Sequence, residues 1–204
     1  GKTKFLTCRI ARLIAESPDD RFRVLGVTFT NKAATEMRNR IDGLLSDGRD
    51  RATLTTFHSF AAEILRQHGS HLGLRPDFGI LSEQADREAV LTDGMKSIQT
   101  EDDFAPKAAQ LLPVVTRMLD ECILPEEAES RLGGQPHAKL IAAIYKAYRD
   151  RLIAGNQMDF SSLLALAVDL LEKKPAIAKQ IRRVYSHVCV DECQDTNSAQ
   201  FRLL

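Results

Sequence analysis

Tryptophan is absent from the 204 residues, and aromatic side chains make up only 6% of the chain. Ring-stacking surfaces are therefore few, and a cluster such as Thr56-Phe57-His58-Ser59-Phe60 stands out. An excess of one charge is lacking too. Twenty-eight Lys and Arg balance 28 Asp and Glu, for a formal net charge of zero. This excludes the global basic field that marks many nucleic-acid binders, so any such surface must be local. The 4 cysteines, at positions 8, 122, 189 and 193, include one C-x3-C pair with no second pair and no nearby His in a ligand pattern. A zinc site is not expected from that spacing. Cys189 reads as a small apolar strand residue, and free thiols fit an intracellular chain. No apolar stretch is long enough for a membrane helix and no signal peptide is visible, so a soluble, cytoplasmic chain with no membrane partner is expected. Repeats and low-complexity tracts are missing as well.

What is present suffices for a core. A hydrophobic content of 44% over 204 residues predicts one large domain, or a domain with an insertion. The most informative stretch is Val188 to Asn197, where the apolar run Val188-Cys189-Val190 stops at Asp191-Glu192. This predicts a buried strand delivering two carboxylates to its C-terminal end, where open parallel sheets bind ligands. One acidic group holding a metal and its neighbour activating a water is what phosphoryl transfer needs. An acidic helix cap is the other reading of Asp-Glu by itself. At the other end stands Gly1-Lys2-Thr3, the tail of the phosphate-loop pattern GxxxxGK[ST], followed by a helix over Lys4 to Glu16 with an apolar stripe at Phe5, Ile10, Leu13 and Ile14. Such a loop runs into a helix N-terminus because the free N–H groups there receive phosphate.

Between these ends the chain alternates. Arg23 to Thr30 predicts a strand, and Thr30 or Asn31 opens a helix through about Leu45. Ser46 to Arg51 is a polar turn, Ala52 to Thr56 a second strand, and Phe57 to His68 a helix closed by Gly69 and Gly73. From about Arg75 to Gly155 strand signals vanish. Helices are expected over Ser82 to Ile98, Phe104 to Ile123, Pro125 to Leu132 and Pro136 to Gly155, with a break at Gly133 to Pro136. Lys139, Lys146, Arg149 and Arg151 on the last of these read as a solvated face. Asp159 is the expected N-cap of a helix over Phe160 to Lys173, with Leu163, Leu164, Leu166, Ala167, Leu170 and Leu171 in the core. A further helix, Ala176 to Tyr185, leads back to the final strand. Strands alternating with helices predict an α/β fold with a parallel sheet.

Four segments carry a resemblance to a known family. Val27 to Ile41 (VTFTNKAATEMRNRI) resembles motif Ia of the UvrD/Rep/PcrA helicases of superfamily 1, and Thr56 to Phe60 resembles motif Ib. Met158 to Leu164 is similar to the segment written DFDDLL, except that Ser161 and Ser162 replace its acids. Val190 to Asn197 resembles motif II. With GKT ahead of them, all stand in the family's order.

The resemblance implies a RecA-like P-loop NTPase domain over residues 1–75 and 156–204, with an inserted all-helical subdomain, 1B-like, over 76–155. It implies ATP and Mg²⁺ as cofactors. Gly1, Lys2, Thr3 and Asp195 would bind the nucleotide, Lys2 neutralising the outer phosphates. Thr3 and Asp191 would hold the metal, Asp191 directly or through water. Glu192 would activate the attacking water, with Gln194 beside it. Phe29 on residue pattern alone is a core residue; the resemblance implies that it stacks on a base of single-stranded DNA. Thr30, Asn31, Lys32, Thr56 and His58 would join it on the DNA backbone. The function implied is the N-terminal motor portion of an ATP-dependent DNA helicase of the bacterial cytosol or nucleoid. Its partners would be single-stranded and duplex DNA and a second RecA-like domain of the parent chain, without which these residues are expected to hydrolyse ATP poorly. A RecB/AddA-type helicase–nuclease motor and a non-catalytic nucleotide- or DNA-binding module are the alternatives.

Overall fold

The structure, a computed structural model, describes residues 2–98 and 106–204, with the Lys2 side chain outside the description. The described chain forms two compact units. One is built from the chain up to Phe60 together with Leu171–Thr196, the other from Ala61–Leu170 with Asn197–Leu203.

The first unit holds helix α1 (Lys2–Glu16), strand β1 (Val24–Thr28), helix α2 (Asn31–Leu44), strand β2 (Ala52–Thr56), helix α9 (Pro175–Val184) and strand β5 (His187–Val190). The strands make a parallel sheet in the order β2-β1-β5. All five residues of β1 are buried, as a central strand covered on both faces requires. Its even-numbered residues face α1 and α2, where Ile10, Ile14, Met37, Ile41, Val24 and Leu54 share one core. Gly26 lies on that face, and a β-carbon there would stand 2.6 Å from the Leu54 side chain. The absent side chain is what lets both helices close on the sheet. Arg51, in the 3-10 turn Arg49–Arg51, donates to the carbonyls of Ile14, Ser17 and Asp19 at 2.8, 3.2 and 3.1 Å and so closes the C-terminal end of α1.

Three expectations about this unit are corrected. β5 is not buried as expected: among the described residues it pairs with β1 alone and stands at the edge of the sheet, and Val188 is 43% exposed. Phe5 does not belong to the apolar stripe of α1 and is 75% exposed. The inward face runs Thr3, Thr7, Ile10, Ile14, and at 100° per residue Phe5 sits opposite it. β1 ends at Thr28, two residues early, because Thr30 is drawn off as the cap of α2.

The second unit contains β3 (Gly79–Ile80), α4 (Gln84–Lys96), α5 (Ala108–Asp120), α6 (Ala128–Arg131), α7 (Ala138–Ala154), β4 (Gln157–Met158), most of α8 (Phe160–Lys173) and α10 (Ser198–Leu203). The helix α3 (Phe57–His68) starts in the first unit and continues here. Helices dominate as expected, but the pairing of β3 with β4 was not legible, because two residues carry no alternation. Buried Asn156, in a left-handed conformation with φ 51°, latches that pair. Its Oδ1 accepts from the Arg75 N–H at 2.8 Å, its Nδ2 donates to Asp77 at 3.1 Å, and its carbonyl accepts from the Gly79 N–H at 3.0 Å. The start expected at Phe104 lies outside the described residues, α4 opens at Gln84 rather than Ser82, and α6 keeps only its central turn. Leu171 is half-buried, while the other four leucines and the alanine expected in the α8 core are buried.

Arg149 is the clearest departure. Expected on a solvated face, it is 6% exposed and its Nη2 stands 3.0 Å from Asp169 Oδ2. On α7, Tyr145 donates to the Ile123 carbonyl at 2.6 Å and Tyr148 donates to Asp159 Oδ2 at 2.5 Å. Asp159 Oδ1 meanwhile accepts from the Ser162 N–H at 2.6 Å, the expected cap of α8. Burial, with the Asp159 carboxylate facing it, holds the Tyr148 hydroxyl protonated far above the ordinary phenol range.

Two stability outcomes follow from these contacts. Arg51→Ala removes three charge-assisted bonds to carbonyls and is expected to cost about 2 kcal/mol in urea denaturation. Tyr148→Phe keeps the ring but strips Asp159 Oδ2 of a buried donor, for roughly 1–3 kcal/mol by the same measurement. A neutral result for either would remove it from the framework.

Candidate active site

The register of the sheet sets the geometry. Thr28 stands opposite Thr56, and Val27 opposite Val190. Because all three strands run parallel, the residues just past them gather on one rim. These are Phe29 to Asn31 after β1, Phe57 and His58 after β2, and Asp191 and Glu192 after β5. The Asp191 N–H donates to the Val27 carbonyl at 2.9 Å, extending the ladder one residue past β5 and fixing where its side chain starts.

Asp191 is 6% exposed. A carboxylate that deep needs a hydrogen-bond donor. Thr3 Oγ1 supplies one at 3.1 Å, across 188 residues of sequence. Thr3 reaches it because α1 is anchored on β1 through Ile10 and Ile14, which presents the first turn of the helix to the rim.

Beyond Asp191 the backbone turns sharply. Glu192 adopts a left-handed conformation, φ 51°, and the chain continues as a 3-10 turn over Cys193–Asp195. The Asp195 N–H returns to the Glu192 carbonyl at 2.9 Å. The Gln194 amide donates to the Glu192 carboxylate and to Asp195 Oδ2, the latter at 3.2 Å. Asp191, Glu192, Cys193, Gln194 and Val190 line a cleft of about 440 Å³ whose other wall is Phe5 and Leu6. Two side-chain oxygens, Thr3 Oγ1 and Asp191 Oδ2, converge beside three further polar groups. Among the described residues no three His, Cys, Asp or Glu side chains form a metal cage. A metal here would keep most of its coordination for water and substrate, as Mg²⁺ does.

The structure therefore brings Thr3, Asp191, Glu192, Gln194 and Asp195 into one neighbourhood. Gly1 and the Lys2 side chain lie outside the described residues. On the other part of the rim, Thr30 Oγ1 accepts from the Ala33 N–H at 3.1 Å and caps α2. Asn31 and Lys32 are exposed in its first turn. Phe29 is half-buried against Phe57, with ring centroids 5.4 Å apart and planes tilted by 55°. Thr56 is buried, and its hydroxyl is engaged by Ser59, accepting from the N–H at 3.1 Å and donating to Oγ at 2.9 Å. His58 is half-buried at the start of α3. Sequence reasoning missed the cleft-wall roles of Phe5, Leu6 and Cys193. The angular position of Phe5 on α1 was the available signal; for the left-handed turn at Glu192 there was none, since Glu has no preference for it.

Comparison with known proteins identifies the family. The model of the UvrD/REP helicase N-terminal domain matches residues 1–204. The chain belongs to the UvrD/REP helicase family. It is similar to the ATP-dependent DNA helicase PcrA of Bacillus subtilis (strain 168), at 34% identity over 207 residues, covering 100% of this chain and 27% of that protein. PcrA of Staphylococcus epidermidis (strain ATCC 12228 / FDA PCI 1200) is 32% identical over 205 residues, covering 100% and 28%. PcrA of Staphylococcus aureus (strain COL) is 31% identical over the same length and shares. The chain thus spans 27–28% of the length of these relatives. Its parallel sheet flanked by helices is that of a UvrD/REP P-loop helicase domain.

The two rim phenylalanines separate by stability. Phe57, 1% exposed, is expected to cost roughly 3–5 kcal/mol on truncation to Ala in urea denaturation. Phe29→Ala, at a half-buried ring, is expected to cost less than half of that. Equal losses would make Phe29 a core residue like its neighbour.

Proposed function

We propose that this chain is the N-terminal motor portion of an ATP-dependent DNA helicase that couples ATP hydrolysis to movement on single-stranded DNA and to duplex unwinding. The observation that carries the reading is the Thr3–Asp191 contact at 3.1 Å, which joins the threonine of the GKT sequence to the first acid of the Asp-Glu pair at one end of a parallel sheet. The names of the PcrA relatives support ATP and DNA as its ligands.

In this reading Lys2 neutralises the outer phosphates of ATP. Thr3 Oγ1 and the Asp191 carboxylate would hold Mg²⁺, Asp191 directly or through water. Both donors are hard oxygens, the kind that this ion takes, and they stand 3.1 Å apart. When bound, the ion offsets the negative charge of the phosphate oxygens. Glu192 orients the attacking water and takes its proton. Gln194 keeps the Glu192 and Asp195 carboxylates in fixed relation, and Asp195 faces the nucleotide. Phe29 stacks on a base, while Thr30, Asn31, Lys32, Thr56 and His58 engage the DNA backbone. With its hydroxyl held by Ser59, Thr56 contributes through its backbone and the shape of the α3 start. The helical stretch 76–155 is the 1B-like insertion, and a second RecA-like domain completes the nucleotide cleft.

Glu192→Gln in the full-length protein tests the assignment. Nucleotide affinity is expected to stay within a few-fold, while DNA-stimulated turnover drops by about 10²–10⁴-fold, the usual contribution of a general base. Hydrolysis at the parental rate would remove Glu192 from the role.

A further inference from the structure

Thr7 stands out on α1. It is fully buried, at 0% exposure, on the same face as Thr3, Ile10 and Ile14, a position where an apolar residue packs at no polar cost. Its hydroxyl lies 3.1 Å from the Thr3 carbonyl and 2.9 Å from the Lys4 carbonyl. A single proton is thus shared between two carbonyls of the first helical turn. Threonine bonded back in this way bends a helix locally, and side-chain bonds of this type compete with regular helix geometry. Valine has the same shape without the hydroxyl, and would fill the site equally well if packing were the only demand.

We propose that Thr7 is a positioning residue for the nucleotide–metal site: its hydroxyl ties down the turn that carries Thr3, and so keeps Thr3 Oγ1 within reach of Asp191. This rests on the reading of Thr3 and Asp191 as metal ligands. The chain of contacts is short. Thr7 holds the Thr3 carbonyl, the same residue's hydroxyl donates to Asp191, and Asp191 is fixed by its N–H to Val27. Inward lean of the first turn is thereby set from the buried side of the helix. On the opposite side of that turn Phe5 is exposed, with exposed Lys4 beside it. Thr7 takes no part in the chemistry and touches neither metal nor nucleotide.

The test compares Thr7→Val, Thr7→Ser and Thr3→Ala in the full-length protein. The readouts are equilibrium binding of a fluorescent ATP analogue with and without Mg²⁺, and the Mg²⁺ concentration giving half-maximal hydrolysis. Losing one hydrogen bond's worth of positioning should raise the Mg²⁺ requirement of Thr7→Val by about three- to tenfold and shrink the Mg²⁺-dependent gain in analogue affinity by a similar factor. Binding measured without Mg²⁺ and the urea midpoint should stay near parental values. Thr7→Ser, which restores the hydroxyl, should behave like the parent. A parental Mg²⁺ response in Thr7→Val, with a weakened one in Thr3→Ala, overturns the role of Thr7 and leaves the metal site standing. A parental response in Thr3→Ala overturns the metal site itself and this inference with it. Equal loss in Thr7→Val with and without Mg²⁺ also overturns it, because a general disturbance of the helix acts on both.

Discussion

The parallel pairing of β5 with β1 is the constraint on which the site depends. Val27 and Val190 are register partners, and the next ladder bond, from the Asp191 N–H to the Val27 carbonyl, places a carboxylate at the rim. Burying that carboxylate is costly without a donor, and the chain supplies one by bringing α1 against the same sheet. The core of Ile10, Ile14, Met37, Ile41, Val24 and Leu54 does this. Apolar packing is non-directional and roughly proportional to area, so it can hold α1 to the sheet without specifying its end to within a hydrogen bond. The last ångström is set by directional contacts: Arg51 at the C-terminal end of α1, the threonines at the other.

A similar division of labour runs through the second unit. Apolar residues of α7 and α8 supply the burial, with Leu152, Leu163, Leu164 and Leu170 at 0–1% exposure. Polar groups set the register. Tyr148 and Arg149 are adjacent on α7, and each meets a carboxylate associated with α8, Asp159 at its cap and Asp169 within it. An ion pair as buried as Arg149–Asp169 contributes little net stability over an apolar pair, because desolvation offsets most of the attraction. Its effect is on specificity: a slip of α7 by one residue would leave both charges buried and unmatched, at a cost of several kcal/mol.

How much of this was legible follows from range. β2, α3 and α8 came out at their observed bounds, since each is announced by its own residues: β-branched alternation in Ala52–Thr56, a run of core leucines after an Asp cap in Phe160–Lys173. The meeting of Thr3 with Asp191 was legible only because four family-like segments stand in order; nothing local to either says that they touch. Features decided by distant neighbours were misread. Arg149 looks like any helix-surface arginine until Asp169 is known to face it, and β5 looks like a buried strand until its place at the sheet edge is known. Phe5 was misread for a simpler reason. Counting apolar residues along α1 recruits it, whereas the angle around the helix excludes it and assigns its place to two threonines.

The threonines also explain why Glu192 can sit where it does. A non-glycine residue at φ 51° carries strain of order 1–3 kcal/mol, which persists only where surrounding contacts over-determine it. Here the residue before Glu192 is pinned twice, by Val27 through its N–H and by Thr3 through its carboxylate. The residues after it are closed into a turn by the Asp195 N–H returning to the Glu192 carbonyl and by the Thr196 hydroxyl donating to the Cys193 carbonyl at 2.7 Å. Held from both sides, Glu192 has no low-energy route back to an extended strand, and its backbone direction departs from that of β5. That departure separates the two carboxylates: Asp191 stays at the sheet against Thr3, and Glu192 turns into the cleft beside Gln194. Two adjacent acids in a regular strand would point to opposite faces of the sheet. The strained turn is how this sequence puts both on the same side of the rim with different neighbours, one facing a hydroxyl and the other an amide.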